Sequence, residues 1–336
     1  MVQYSVIIPL YNEEEIFAEL FQRIKKTMDG FGETYEIIFV DDGSEDSTFS
    51  LISDLAKNNP NVLAIKLSKN FGQDNANLAG MKCSSGESII LMDGDLQDPP
   101  EFIPNLIKEK NKGYSVVYGV KTQRKENFLI RSLTSIFYKL MHFLSNVQIP
   151  QNAGTFSIIS RAVAGNILSL RENNKFVSGL RSYVGFKQSG ISYNREKRNA
   201  GKPKSLFDLI RMGLNAIFSF SILPLRITIL TTLIMSVITF SVLFLSSFQQ
   251  FSNKFVGFGT TKLIIICIFA LFFLLLLSLT IVSEYIARLH EQIKRRPDFI
   301  IELIIKDGRE IRDFHEIIYQ DQIFLKLDNS NRPVTP

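Results

Sequence analysis

Up to about residue 120 the chain alternates two patterns. A short unbroken apolar run is followed by a longer stretch with apolar residues every three or four positions. The first suits a strand buried on both faces, the second a helix with one buried side. Tyr4 to Leu10 (YSVIIPL) is the first predicted strand. In Tyr11-Asn12-Glu13-Glu14-Glu15, Asn12 is placed to cap a helix, with Glu15 three residues on as its capping-box partner. Ile16, Leu20, Ile24 and Met28 then recur every four residues, with Phe17 and Phe21 beside them, and the helix ends near Gly30. Tyr35 to Val40 is the second strand and runs into Asp41-Asp42-Gly43-Ser44; Asp46 or Ser47 caps the helix carrying Phe49, Ile52 and Leu55. Val62 to Leu67 is a third strand, followed by a polar loop to Asn75 and a short helix through Ala79. Ser88 to Met92 is the fourth, Pro99-Pro100-Glu101 a helix entry, and Val116-Val117-Tyr118 the fifth. Regular alternation of this kind predicts an α/β layer with a mainly parallel sheet.

The chemistry-bearing residues fall at the ends of these strands. Ile89 to Met92 is apolar and runs directly into Asp93-Gly94-Asp95. In an extended chain Asp93 and Asp95 point the same way, and Gly94 leaves room for a ligand to approach. Two convergent carboxylates suit a hard divalent cation that shares its shell with substrate phosphates. The plainer alternative is a solvated turn after a strand. In parallel sheets, however, ligands sit beyond the carboxyl ends of the strands. Pro9 to Glu13, Asp41-Asp42 and Asp93-Gly94-Asp95 would all lie on that one rim.

The second half changes character. Residues 127–145 and 205–221 are amphipathic. Leu206, Ile210, Leu214, Ile217 and Phe218 form a stripe in the latter, which reads as an interfacial helix; the former reads equally as a core helix. Residues 227–248 and 263–283 carry no charge, and each run is long enough to cross a hydrocarbon core of ~30 Å. Between them only Lys254 and Lys262 are charged. Lys202, Lys204, Arg211 and Arg226 precede the pair, and Arg288, Lys294, Arg295 and Arg296 follow it. The positive-inside bias therefore places both flanks in the cytoplasm. The expected layout is an α/β domain over 1–204, a juxtamembrane segment over 205–226 and spans at 227–248 and 263–286. An external loop at 249–262 joins the spans, and a tail over 287–336 follows. The tail has β-like runs at 299–305 and 317–327.

Composition narrows the partners. The 336 residues hold 38 Lys+Arg against 33 Asp+Glu, a formal charge of +5. That mild surplus fits a membrane-surface protein, and with no long basic run or zinc-finger spacing no nucleic-acid partner is expected. His142, His290 and His315 are scattered, which disfavours a histidine metal site. Cys83 and Cys267 are expected to stay unpaired in a reducing compartment, and the N-terminus lacks the pattern of a cleaved signal peptide.

The YNEE, VDDGS and MDGDLQDPPE stretches, the late Arg-rich motif and the paired apolar runs together resemble the polyprenyl-phosphate glycosyltransferases. These are family-2 transferases of GT-A fold that include dolichyl-phosphate mannose synthase and bactoprenol glucosyltransferases. The resemblance implies that Pro9, Tyr11, Glu13, Asp42, Asp93 and Gly94 line the nucleotide-sugar pocket. It implies that Asp93, Asp95 and Gln97 hold Mg2+ or Mn2+. Lys121, Arg124, Arg131, Arg195, Arg198 and Lys204 resemble two basic sets for the acceptor phosphate. Asp93, Asp95, Arg124, Arg198 and Lys204 are the implied catalytic group. The implied activity is inverting transfer of a sugar, from UDP-glucose or a related UDP-sugar, to a polyprenyl phosphate at the cytoplasmic face of a bacterial inner membrane. Relatives imply a homo-oligomer. Asn152 and Thr155 stand where many relatives carry aspartates, Pro203 replaces a usual serine, and Lys121 sits where arginine is common. A processive polysaccharide synthase is the competing enzyme, disfavoured by the lack of tryptophan and by only two spans. An inactive nucleotide-sugar-binding scaffold is the non-enzymatic one.

Overall fold

A computed structural model describes residues 2–122, 153–170, 176–195, 223–251, 258–294 and 296–312. The chain forms two compact units. Residues 1–128, 148–203 and 297–336 make one; residues 129–147 and 204–296 make the other.

The first unit is built on strands β1 (Tyr4–Leu10), β2 (Tyr35–Asp41), β3 (Val62–Leu67), β4 (Ser88–Leu91), β5 (Val116–Lys121), β6 (Ala153–Ser160), β7 (Gln188–Tyr193), β8 (Ile301–Lys306) and β9 (Arg309–Ile311). They join one sheet in the order β7-β5-β6-β4-β1-β2-β3-β8-β9. β1 pairs in parallel with β2 and β4, β2 with β3, and β5 with β7; β6 runs antiparallel between β4 and β5. One rim therefore collects the carboxyl ends of β1, β2, β3, β4, β5 and β7 together with the start of β6.

The helices of this unit are α1 (Phe17–Asp29), α2 (Thr48–Asn58), α3 (Gln73–Cys83), α4 (Ile103–Lys110), α5 (Arg161–Ser169) and α6 (Val177–Tyr183). Strand side chains alternate between two cores. Val6, Ile8, Phe39 and Ile90 pack with Phe17, Leu20 and Ile24 of α1. Ile7, Ile38, Val40 and Leu91 pack on the other face with Leu78, Val163 and Leu180. Burying each such side chain is worth roughly 1.5–3 kcal/mol, which is why these runs must be apolar on both sides.

Several expectations are corrected. Asn12 caps no helix. It adopts φ 53, its Oδ1 accepts from Glu45 N at 2.9 Å, and α1 starts only at Phe17 without a side-chain cap. The YNEE segment is instead stitched to the loop after β2. Asn12 N donates to Ser44 Oγ, Glu13 N to Thr48 Oγ1, and Ser47 N to a Glu14 carboxylate oxygen. Of the two residues expected to cap α2, Ser47 occupies the cap position without a side-chain bond, while Asp46 accepts from Thr48 N at 3.0 Å. Strands β6 and β7 were not expected. Within the segment 287–336, the β-like run expected at 299–305 forms β8, which pairs antiparallel with β3, Ala64 opposite Ile305 and Leu67 opposite Ile301. The 317–327 run lies outside the described residues, as do the amphipathic segments 127–145 and 205–221.

The second unit contains α7 (Leu223–Phe251) and α8 (Phe258–Ile293), which pack against each other. Both are long and apolar enough to cross a membrane. Their large side chains face outward: Phe240 is 71 % exposed and Phe269 69 %. Hydroxyls along them turn back onto the helix, with Thr231 and Ser236 donating to Ile227 O and Thr232 O, and Thr280 and Ser283 to Leu276 O and Leu279 O. Each such bond satisfies a hydroxyl within its own helix.

Candidate active site

The site lies where β4 ends. Met92 N still donates to Ile7 O, and then the chain leaves the ladder through Asp93-Gly94-Asp95. Asp93 Oδ1 accepts from Gln73 Nε2 at the start of α3, and Asp93 Oδ2 lies 3.6 Å from Arg195 Nη2. Asp95 Oδ2 lies 3.8 Å from the same nitrogen, and its Oδ1 accepts from Gln97 N at 3.1 Å. That bond closes a tight turn in which Leu96, buried, takes φ 56, a left-handed conformation that costs a non-glycine residue about 1–2 kcal/mol. A third carboxylate stands behind the pair. Asp98 is fully buried; its Oδ1 accepts from the Tyr193 hydroxyl and lies 3.5 Å from Arg195 Nε, while its Oδ2 has no partner. The Tyr193 ring is fixed between Phe102 and Phe156, centroids 5.4 and 5.5 Å away.

Asp93, partly withdrawn from water and crowded by two further acids, holds its proton tightly. Asp93 is pushed up to about 7, by burial first and then by Asp98; Asp95 adds to the rise, while Lys121 and Arg195 oppose it. Burial and Asp98 likewise raise the Tyr193 phenol, so it stays a donor. The cluster carries more negative than positive charge and attracts a cation.

The donor set fits a hard one. The available donor atoms are carboxylate oxygens, Asp98 Oδ2 is an orphaned buried acceptor, and one guanidinium nitrogen lies within 4 Å of both Asp93 and Asp95. Among the described residues no three His, Cys, Asp or Glu side chains close on a single point. Asp93 and Asp95 are therefore the pair that could hold a hard divalent cation.

The other expected site residues distribute as follows. Pro9 is buried in β1, and Tyr11, 42 % exposed, follows at the rim. Glu13 is anchored through its backbone to Thr48. Asp42 spends its oxygens on the Phe71 and Gly72 amides, 2.7 and 2.9 Å, which fixes the loop that delivers Gln73. The reading of Gly94 as room for a ligand is corrected. A Cβ there would stand 2.4 Å from Leu10 Cδ2 and 2.8 Å from Pro9 O, so its smallness serves packing on β1. Gln97 is buried beneath the turn. Lys121 ends β5 beside Tyr193, and Arg195 belongs with the carboxylates. Arg124, Arg131, Arg198, Lys204 and Asn152 lie outside the described residues. Gln73, Asp98 and Tyr193 were missed. Asp98 stood within the quoted acidic stretch, but nothing in the sequence marks the other two.

A mainly parallel sheet interrupted by antiparallel β6, with an acid pair at its carboxyl rim, is the GT-A arrangement of a glycosyltransferase. The family model described as "Glycosyl transferase family 2" matches residues 5–168. An uncharacterized glycosyltransferase, YkcC, of Bacillus subtilis is 37 % identical over 320 residues, covering 94 % of this chain and 98 % of that one. A prophage bactoprenol glucosyl transferase homolog of Escherichia coli is 33 % identical over 309 residues, 91 % of this chain and all of the relative. Glucosyl-3-phosphoglycerate synthase from Mycobacterium tuberculosis, solved with Mn2+, UDP-glucose and phosphoglyceric acid, shares 20 % identity at a TM-score of 0.44. That match covers 65 % of this chain and 78 % of the other. The chain belongs to glycosyl transferase family 2.

Proposed function

We propose that this protein transfers a sugar, from UDP-glucose or a related UDP-sugar, to a polyprenyl phosphate at the cytoplasmic face of a bacterial inner membrane, inverting the anomeric centre. The observation that carries the reading is the pairing of Asp93 and Asp95 about one point on the rim, 3.6 and 3.8 Å from Arg195 Nη2. Relatives named bactoprenol glucosyl transferase, such as that of Shigella phage SfII at 33 % identity over 89 % of the chain, support the acceptor class and the sugar. Helices α7 and α8 support a bilayer site. Because β8 returns to pair with β3, an even number of crossings between residues 195 and 301 is the simplest path, which supports both flanks on one side.

The acceptor phosphate is already anionic at neutral pH, since its second pKa is about 6, so its oxygen needs no strong base. It attacks C1 from the face opposite the diphosphate. The C1–oxygen bond to the donor breaks as the new one forms, and a β-linked lipid-phosphate sugar results. A divalent cation between Asp93 and Asp95 would neutralise the departing diphosphate. Gln73 orients Asp93, and Tyr193 keeps Asp98 in place behind it. Lys121 and Arg195, with Arg124, Arg131, Arg198 and Lys204, are proposed to clamp the acceptor phosphate; arginine can grip it bidentately.

Purified full-length protein in nanodiscs, given radiolabelled UDP-glucose and undecaprenyl phosphate, is expected to form a labelled lipid. EDTA and Asp95→Ala should abolish it. Undiminished turnover in EDTA, or a polymeric product, would overturn the proposal.

A further inference from the structure

Arg181 on α6 is 1 % exposed and, among the described residues, has no charged partner. Its Nη1 donates to Gly154 O at 3.2 Å, and its guanidinium lies 5.0 Å from the centre of the Tyr118 ring. Nε and Nη2 are buried and make no hydrogen bond. Among the described residues no carboxylate acts on it. Burial lowers its proton affinity to about 10, which still leaves it charged at neutral pH. An uncompensated buried cation is costly, several kcal/mol in real proteins, and buried charges are ordinarily paired.

Its location connects it to the acid pair. Gly154 opens β6 on the rim, next to the paired Val120 and Ala153. A Cβ on Gly154 would stand 2.8 Å from Lys121 Nζ, and Lys121 acts on the charge of Asp93. Lys121 and Arg181 thus bracket one glycine. On the helix side, Val177 N of α6 donates to Asp74 Oδ1, 3.1 Å, and Asp74 follows the Gln73 that holds Asp93. One turn along each helix from that bond stand Asn77 and Arg181. Asn77 is also fully buried, with both amide atoms unpartnered.

We propose that Arg181 is an anion-binding residue of the β6 side of the site, whose Nε and Nη2 take an oxyanion from a substrate. The oxyanion is either the phosphate of the lipid acceptor or a carboxylate on the donor sugar. This rests on the function proposed above, and it assigns Arg181 to one of that reaction's substrates.

The test is calorimetric titration of full-length protein in detergent with Mn2+ present. The probes are farnesyl phosphate against farnesol, and UDP-glucuronic acid against UDP-glucose. Losing a charge-assisted hydrogen bond of about 1.5–3 kcal/mol should weaken the relevant anion roughly 10- to 100-fold in Arg181→Met. Arg181→Lys should recover part of the loss, and the neutral counterpart should bind unchanged. Loss confined to farnesyl phosphate identifies the acceptor; loss confined to UDP-glucuronic acid identifies an acidic sugar. If folded Arg181→Met binds both anions as the parent does, the guanidinium is only a hydrated core residue and the proposal fails. Should that variant not fold, Arg181→Lys decides on the same criterion. Binding of UDP with Mn2+ to the parent is measured alongside. Its absence would sink the function proposed above, whereas its presence with no Arg181 dependence sinks this inference alone.

Discussion

Tyr193 and Asp98, 95 positions apart, meet in the floor of the site, the phenol donating its hydrogen to Asp98 Oδ1. Asp98 Oδ2 has no other partner, so this bond and the neighbouring Arg195 are what the buried carboxylate has. Removing the hydroxyl leaves an acceptor short of a partner, at a cost of about 1–3 kcal/mol. Tyr193→Phe should therefore lower unfolding free energy by that amount in urea titration. No loss at all would mean that water replaces the hydroxyl.

Asp93 and Asp95 repel each other and Asp98, and burial adds to the strain on Asp93. An amide in place of either acid removes charge from a crowded negative cluster. Asp93→Asn and Asp95→Asn are each expected to abolish Mn2+ binding, read by electron paramagnetic resonance in the presence of UDP. The melting temperature should hold or rise. A variant that binds Mn2+ normally would remove that acid from the proposed pair.

Gly94 is fixed by β1. Its missing side chain would meet Leu10 Cδ2, which can rotate away, and Pro9 O, which is backbone and cannot. Gly94→Ala should cost about 1–3 kcal/mol through overpacking. Trimming Leu10 to Val in the same chain should recover only part of it, because the carbonyl contact remains. Full recovery would show that the backbone contact carries no penalty.

Arg23 grips Glu101 with Nε and Nη2 at 2.9 and 2.8 Å, tying α1 to the turn before α4. Those hydrogen bonds hold the Glu101 carboxyl below its ordinary 4.5. A depressed acid stabilises the fold above its unfolded value and loses that contribution as pH falls through the folded one. The pair is half-exposed, so about 0.3–1 kcal/mol is at stake. Glu101→Gln should destabilise by that much at pH 7, and the difference from the parent should shrink as pH falls below the ordinary value and disappear only below the depressed one. A difference independent of pH would point to packing instead.

The parts legible in the sequence share a physical reason. β1 to β5 are runs dominated by apolar residues between turn residues, and burial on both faces favours that pattern, with Ser5 and Glu36 tolerated because they hydrogen-bond each other. The acid pair was legible because strand ends carry side chains to the rim. β7 (QSGISY) escaped notice because an edge strand needs only one apolar face. Asn12 misled because an Asn before an apolar stripe is a capping signal, and only the fold reveals that Glu45 claims its oxygen. Gln73 and Tyr193 reach the site through contacts across 20 and 95 positions, which local pattern does not encode.

The pairing of β8 with β3 bears on topology. Lys66 and Glu302 sit across it with Nζ 3.1 Å from Oε2, and Ile304 and Ile305 are buried on opposite faces of the sheet. Strand β3 would otherwise be an edge, its N–H and C=O groups open to another chain. Ending the chain at residue 297 should therefore produce an aggregation-prone protein, not a merely shortened one. If α7 and α8 cross a bilayer as proposed, the same pairing puts the residues before α7 and after α8 on one side of it. Single cysteines at Ser50 and at Glu302, in a Cys83→Ser, Cys267→Ala background, should both resist a membrane-impermeant maleimide in intact cells and both react once the membrane is opened. Opposite behaviour of the two positions is incompatible with a hairpin of two spans, and it would mean that β3 and β8 cannot belong to one sheet in the native protein.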